Sequence, residues 1–215
     1  MTKKEAILCA AQEAFGQLGF HAATVKDVAG RADVSFGLVS HYFGSKQELF
    51  LAAGFDMADR LIFRLHEATA KAETGIEAIR AYMSAYFDFT EEHRTGFPVL
   101  LRCSPFSHME PGVDGAKVAE KFSIFIDELK RCVALGIKDG TIRSLPLEQT
   151  ALIIYGNIVG SVRTSLLSPY ESTNLFAETI NHVERSITIP ACEAAVENGM
   201  PLEQGNPSRA ESRAR

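Results

Sequence analysis

Little in this sequence points to covalent, metal or membrane chemistry. It holds four cysteines in 215 residues, Cys9, Cys103, Cys132 and Cys192, with no C-x-x-C pair and no histidine at zinc spacing. That scarcity argues against a disulfide framework or a structural zinc site and predicts reduced thiols. Long hydrophobic runs are missing too. The longest, Ala151 to Gly160, is too short for a membrane span and contains Asn157. Glu5, Gln12 and Glu13 interrupt any signal-peptide core near the N-terminus, so a cytoplasmic protein with no membrane partner is expected. No catalytic triad, metal-ligand cluster or glycine-rich phosphate cradle is visible, and the six histidines are scattered. No catalytic residue, no metal and no cofactor is therefore expected. Excess positive charge is also absent. A net charge of −5 argues against a protein that coats nucleic acid or anionic membrane without specificity.

What is present describes an ordinary globular chain, 46% hydrophobic and 23% charged, with ample material for a core. Strand-like alternation is lacking over any useful length, while helical periodicity recurs throughout. Thr2-Lys-Lys-Glu5 forms a capping box opening a helix with Ile7, Leu8, Ala11, Phe15 and Leu18 on one face, ended by Gly19. Ser45-Lys-Gln-Glu48 opens a long helix running through Leu49, Phe50, Ala53, Met57 and Leu61 to about Ala70. Lys71 to Thr74 reads as a linker. Further helices follow from Gly75 to about His93, around Val99 to Cys103, from Val118 to near Gly140, from Leu147 to Leu167, and around Leu175 to Ile187. The fold class is all-α, with about nine helices. It divides into a three-helix N-terminal unit over 1–48, a larger bundle over 49–190, and a polar, partly disordered tail over 191–215.

The chemistry concentrates in Thr24 to Phe43, which reads as two short helices joined by a tight turn. Thr24 and Asp27 make a capping box over Val25, Val28, Ala29 and Ala32. Asp33-Val34-Ser35 breaks the pattern, and Ser35 caps a second helix with Leu38, Val39 and Tyr42 or Phe43 on its apolar side. Exposed on that helix are Phe36, Gly37, Ser40, His41 and Tyr42, none of them acidic. Such a small, uncharged or aromatic tip suits a DNA major groove. In the first fifty residues Lys3, Lys4, Lys26, Arg31 and Lys46 oppose Glu5, Glu13, Asp27, Asp33 and Glu48, leaving no net charge there.

With those residues laid out, the first fifty resemble the DNA-binding domain of the TetR family of transcriptional regulators. The resemblance rests on Ile7, Leu8, Ala11, Phe15, Gly19, Phe20, Thr24, Val25, Val28, Ala29, Ala32, Val34, Ser35, Gly37, Val39, His41, Tyr42, Phe43, Ser45, Lys46, Leu49 and Phe50, in ungapped spacing. Phe36 departs from the small polar or basic residue usual there, and Ser40 from a frequent tyrosine. The run Ser40 to Gly44 is similar to the choline-responsive branch, though five residues transfer no ligand. The resemblance implies a homodimeric repressor that binds double-stranded DNA at a palindromic operator, with a bundle that holds a small-molecule effector and the dimer interface. Ser35, Phe36, Gly37, Ser40 and His41 would then face bases or the adjacent backbone. Thr24, Lys26, Tyr42 and Lys46 would hold phosphates. Thr24 and Ser35 serve equally well as caps, and Tyr42 as packing.

In the bundle, Tyr82, Tyr86, Phe89, Phe97, Phe122 and Phe125 are candidates to line an effector pocket, with plain core as the competing reading. Arg102, His108 and Asn157, like His93 and Arg163, sit in or beside apolar stretches where each needs a partner, a ligand being one among several. Gly156 and Gly160 share a helix face that allows close approach of another helix. With Phe176, Ile180 and Val183 of the last helix they are candidates for a dimer seam, and intramolecular packing explains the same pattern. An all-α enzyme or carrier with an incidental helix pair is the alternative from another class. A redox sensor built on Cys103 or Cys132 is a third.

Overall fold

The computed structural model describes residues 2–107, 113–169 and 173–189. Among these the chain forms nine helices and no strand: α1 Lys3–Ala22, α2 Val25–Arg31, α3 Phe36–Phe43, α4 Lys46–Thr69, α5 Gly75–Glu92, α6 Pro98–Arg102, α7 Gly115–Asp139, α8 Leu147–Leu167 and α9 Leu175–Ile187. The expected tail over 191–215 and the candidate His108 lie outside the described residues.

The helices begin where local chemistry satisfies their first amides. Capping boxes open α1 (Thr2 with Glu5), α2 (Thr24 with Asp27) and α4 (Ser45 with Glu48), as the spacing predicts. A fourth, Thr74 with Glu77, opens α5 at the end of the stretch read as a linker. Gly19 breaks α1 with φ 78° and ψ 173°, conformations glycine reaches without strain, and a last turn continues to Ala22.

Two cores form. The first gathers Ile7, Phe15, Val28, Val39, Leu49 and Phe50, with Val99 and Cys103 from the segment around α6. Phe15 and Phe50 meet edge to face at 5.3 Å. Both are fully buried, so truncating Phe50 to alanine would cost about 3–5 kcal/mol, a large fraction of a typical domain's stability. The second core gathers Leu61, Leu65, Tyr82, Tyr86, Phe125 and Ile158 from α4, α5, α7 and α8. One helix serves both cores, since α4 gives Leu49, Phe50 and Ala53 to the first and Met57, Leu61 and Leu65 to the second.

Small residues let the two units approach closely. A Cβ on Gly16 would lie 2.4 Å from the Thr95 carbonyl oxygen, and one on Gly54 would lie 2.7 Å from the Cys103 Cβ. At the far side, α8 has the length and apolar composition of a membrane span. Its inner face, with Ile154, Tyr155, Ile158 and Val162, packs into the second core, while Leu152 and Ile153 stay exposed. Helix α9 turns Thr179, Val183 and Ile187 inward. Val183, expected at a dimer seam, is only 1% exposed within its own chain. Its four-residue spacing from Thr179 and Ile187 puts it on the inner stripe, so that assignment is corrected.

Candidate nucleic-acid interface

The turn between α2 and α3 is fixed by backbone chemistry. Asp33 takes the left-handed conformation at φ 50°, which an aspartate tolerates better than most side chains. Its amide bonds the Gly30 carbonyl and the Val34 amide bonds the Ala29 carbonyl, the paired pattern that closes a helix with a sharp reversal. Ala29 is buried and Val34 packs on the same core, so the reversal is held from both sides. Ser35 then accepts a 3.2 Å hydrogen bond from the Leu38 amide and starts α3 at once.

Val39 and Phe43 bury one face of α3 against the first core. The opposite face holds Phe36, Gly37, His41 and Tyr42 in the open, with Ser40 half-buried. Phe36 is 51% exposed and Tyr42 44%, the Tyr42 ring lying 5.8 Å from that of His41 and 6.3 Å from that of Phe43. A Cβ added at Gly37 would meet nothing within 4 Å, so the fold itself makes no demand for glycine there. No acidic residue lies in the first turn of α3, leaving the positive end of its dipole uncompensated by a side chain.

The surrounding charges are arranged by role. Glu5, Asp27 and Glu48 are occupied in the caps of Thr2, Thr24 and Ser45. The Thr24 hydroxyl, followed by the Thr24 amide, holds the Asp27 carboxyl below its ordinary value. Glu13 lies 3.8 Å from Arg31. Lys26 is exposed on α2. Lys46 folds back, donating to the His21 carbonyl at 3.2 Å with its ammonium 4.6 Å from the centre of the Phe20 ring. Two of its three N–H donors remain for an outside acceptor. Thr24 is engaged with Asp27 through both its amide and its hydroxyl, so its capping role is realised.

The bundle candidates divide. Tyr82, Tyr86, Phe89, Phe97, Phe122 and Phe125 come together as one buried aromatic cluster. The Tyr82 hydroxyl donates to the Phe125 carbonyl at 3.1 Å, and burial pushes the Tyr82 and Tyr86 phenols well above their ordinary range. Tyr155, which sequence reasoning passed over, stacks on Phe125 at 6.3 Å, and burial pushes its phenol above the ordinary range. Its place in an apolar helical stripe carries the signal that could have found it. Two polar candidates fall elsewhere. Asn157 donates to the Ile153 carbonyl of its own helix, on the outward side with Gly156 and Gly160. Arg102 donates to the Phe15 and Gly16 carbonyls of α1, an ordering contact between head and bundle. Among the described residues no group of three or more histidine, cysteine, aspartate or glutamate side chains is placed to hold a metal ion.

Comparison with known proteins bears on this geometry. Residues 7–53 match the family model described as bacterial regulatory proteins, tetR family. The chain is 34% identical over 95 residues to the HTH-type transcriptional activator FasR of Mycolicibacterium smegmatis, covering 44% of this chain and 43% of that protein. It is also 34% identical over 94 residues to the HTH-type transcriptional regulator BetI of Escherichia coli, covering 41% and 47%. Each match thus spans less than half the length of the curated relative. Among solved structures, the transcriptional regulator FadR from Bacillus subtilis in complex with stearoyl-CoA superposes with a TM-score of 0.72 at 21% identity, over 85% of this chain and 96% of that one. The TetR family regulator PfmR from Thermus thermophilus gives 0.69 at 20%, over 83% and 97%. At such identities the likeness is one of fold: a helix-turn-helix head followed by a helical bundle.

Proposed function

We infer, from the match of residues 7–53 to the model of the tetR family of bacterial regulatory proteins, that the whole protein is a cytoplasmic, ligand-responsive DNA-binding regulator acting as a homodimeric repressor. The observation that carries this reading is the outer face of α3. Phe36, Gly37, His41 and Tyr42 stand clear of the chain on a helix locked to its partner by a rigid turn. Phe36 suits a thymine methyl, and Ser40 and His41 suit base-edge or backbone acceptors. Lys26 and Lys46, with Thr24 and Tyr42, suit phosphates.

A head with no net charge binds weakly alone, so affinity depends on presenting it twice. The outward face of α8 and α9 supplies a seam for that. Leu152 and Ile153 are 49% and 64% exposed, Phe176 and Ile180 are half-buried, and Gly156 and Gly160 have open space above them. Two copies joined there would carry their reading helices to successive major grooves of a palindrome. The aromatic interior of the bundle suits an apolar small-molecule effector, a reading supported by the stearoyl-CoA bound in a structural neighbour. An effector that favours another spacing of the heads would release the operator.

Gel-shift titration on DNA flanking the gene tests this. The expected result is a specific complex whose affinity falls with salt. Lys26 and Lys46 from two heads neutralise about four phosphates, a log–log slope of about −3 to −4. Absence of any retarded band at low salt would refute the reading. Because one relative is an activator, a second reading has the chain raise transcription instead. Deleting the gene should raise expression from the bound promoter if the chain represses and lower it if the chain activates.

A further inference from the structure

Between the head and the bundle lies an open cleft of about 560 Å³ walled by Leu18, Phe20 and Phe106 on its apolar side and by Arg102 and Arg163 on the other. Each guanidinium is half-buried and pinned by backbone. Arg102 Nη1 donates at 2.5 and 2.6 Å to the Phe15 and Gly16 carbonyls, in the last turn of α1 before the break at Gly19. Arg163 Nη2 donates to the Leu101 carbonyl at 3.2 Å and to the Ser107 hydroxyl at 2.6 Å. Neither has a carboxylate within ion-pairing distance among the described residues, where most other arginines of the bundle do. A guanidinium offers five N–H donors on three nitrogens, and each of these two spends only one nitrogen. Two forks held in fixed orientation, each with two nitrogens to spare and no countercharge, make a receptor for a planar or tetrahedral oxyanion.

The neighbouring wall says what the anion is attached to. Phe106 is 57% exposed and Leu18 46%, and both line the cleft beside the arginines. The Phe106 ring lies 5.7 Å from that of Tyr155, which stacks on Phe125 in the buried aromatic cluster, so the apolar side leads from surface to core.

We propose that this cleft binds an amphiphile with a carboxylate or phosphate headgroup, the head held between Arg102 and Arg163 and the aliphatic part laid along Leu18 and Phe106. The proposal rests on the ligand-responsive reading above for its purpose, though not for its test. The same Arg102 that would hold the anion holds the end of α1, so an occupied site bears directly on how the head is seated.

Calorimetric titration of the full chain with sodium decanoate, decyl phosphate, 1-decanol and inorganic phosphate tests it. Decanoate or decyl phosphate is expected to bind at least tenfold more tightly than decanol, and the better of the two identifies the headgroup. Arg163→Gln and Arg102→Gln are each expected to weaken that anion at least tenfold and leave decanol unchanged. Both changes also remove a structural contact, Arg102 with α1 and Arg163 with the Leu101 carbonyl, so a variant counts only if its thermal melt and decanol binding match the parent, and Arg163→Lys, which keeps the charge but not the fork, is the second variant. Equal binding of decanol and both anions, or anion binding untouched by Arg163→Gln, would overturn the proposal. No DNA enters the titration. Loss of operator binding with the titration intact would therefore remove the regulatory reading and leave the site standing.

Discussion

Gly37 separates the DNA-contact reading from a purely structural one, because the two give opposite signs for one substitution. It is the second residue of α3, exposed, with a negative φ and nothing within 4 Å of an added Cβ. Replacing helical glycine by alanine gains about 0.5–1 kcal/mol where the site accepts a methyl. Near a helix end the lower part of that range applies. For a chain of this size that raises the melting temperature by about 1–2 °C. If α3 enters a major groove, however, the new methyl occupies the space through which the backbone approaches DNA. Displacing even one good base contact costs about 1–3 kcal/mol per head, and a dimer presents two heads. Gly37→Ala should therefore be more stable in a thermal melt and bind its operator at least tenfold more weakly in a gel-shift titration at fixed salt. Unchanged operator affinity in a protein that melts higher would refute the placement of Gly37 at the interface. A lower melting temperature would refute the open-space argument itself.

Other outcomes follow from particular contacts. Glu128, 7% exposed, joins α4 to α7 by accepting from Thr69 and Arg131, with His66 nearby at 3.5 Å. Burial pushes its carboxyl up, but the Arg131 and Thr69 hydrogen bonds outweigh this and leave it below the ordinary 4.5. A depressed folded value contributes stability above the unfolded value and loses it as pH falls through the folded one. Glu128→Gln should thus cost about 1–3 kcal/mol in urea unfolding at pH 7, a gap that closes in acid; a gap constant with pH would refute the pair. Burial pushes the Cys103 and Cys132 thiols up to about 12, leaving about a thousandth of their ordinary thiolate, whereas Cys9 is exposed. Cys9 should react rapidly with an aromatic disulfide reagent in the native protein and the buried pair only on unfolding. Fast reaction of Cys103 would revive a thiol-based sensor. Ile153→Glu places a charge on the exposed face of α8, and light scattering should find a monomer with an unchanged melting profile if that face is the seam. A dimer surviving the change would move the seam elsewhere.

How far the sequence carried depended on the range of the forces involved. Caps and turns are decided within a few residues, so Thr2, Thr24 and Ser45 could be placed as helix starts and were found there. The long helix opened by Ser45 was legible too, and it is the element that serves both cores. Polar candidates were legible only as side chains that each need a partner, not as to which partner. Asn157 and Arg102 were singled out for standing in apolar stretches, yet each met its need through backbone carbonyls, one on its own helix and one on a helix some 87 residues earlier. Nothing local records which carbonyl a long side chain will reach. Val183 shows the converse, for an amphipathic helix with apolar residues on both edges does not announce which edge faces its own chain.

The junction between the units bears on whether a ligand could influence the head at all. Coupling can be no larger than the ligand's differential affinity for two arrangements, typically ~1–3 kcal/mol, and it needs contacts stiff enough to transmit them. Three such contacts converge on α1. Helix α4 runs unbroken from the first core to the second, so its rotation in one is felt in the other. Gly16 lies against the Thr95 and Gly96 backbone with no room for a methyl, so α1 cannot slide without moving the segment that leads into α6. Arg102, at the end of α6, holds the carbonyls where α1 breaks. A loose tether would let the bundle change shape in silence. Here the short helix α6 is fastened to the head on one side and to Arg163 of α8 on the other, so a shift in α6 must either pull α1 or break a charge-assisted hydrogen bond worth about as much as the coupling itself.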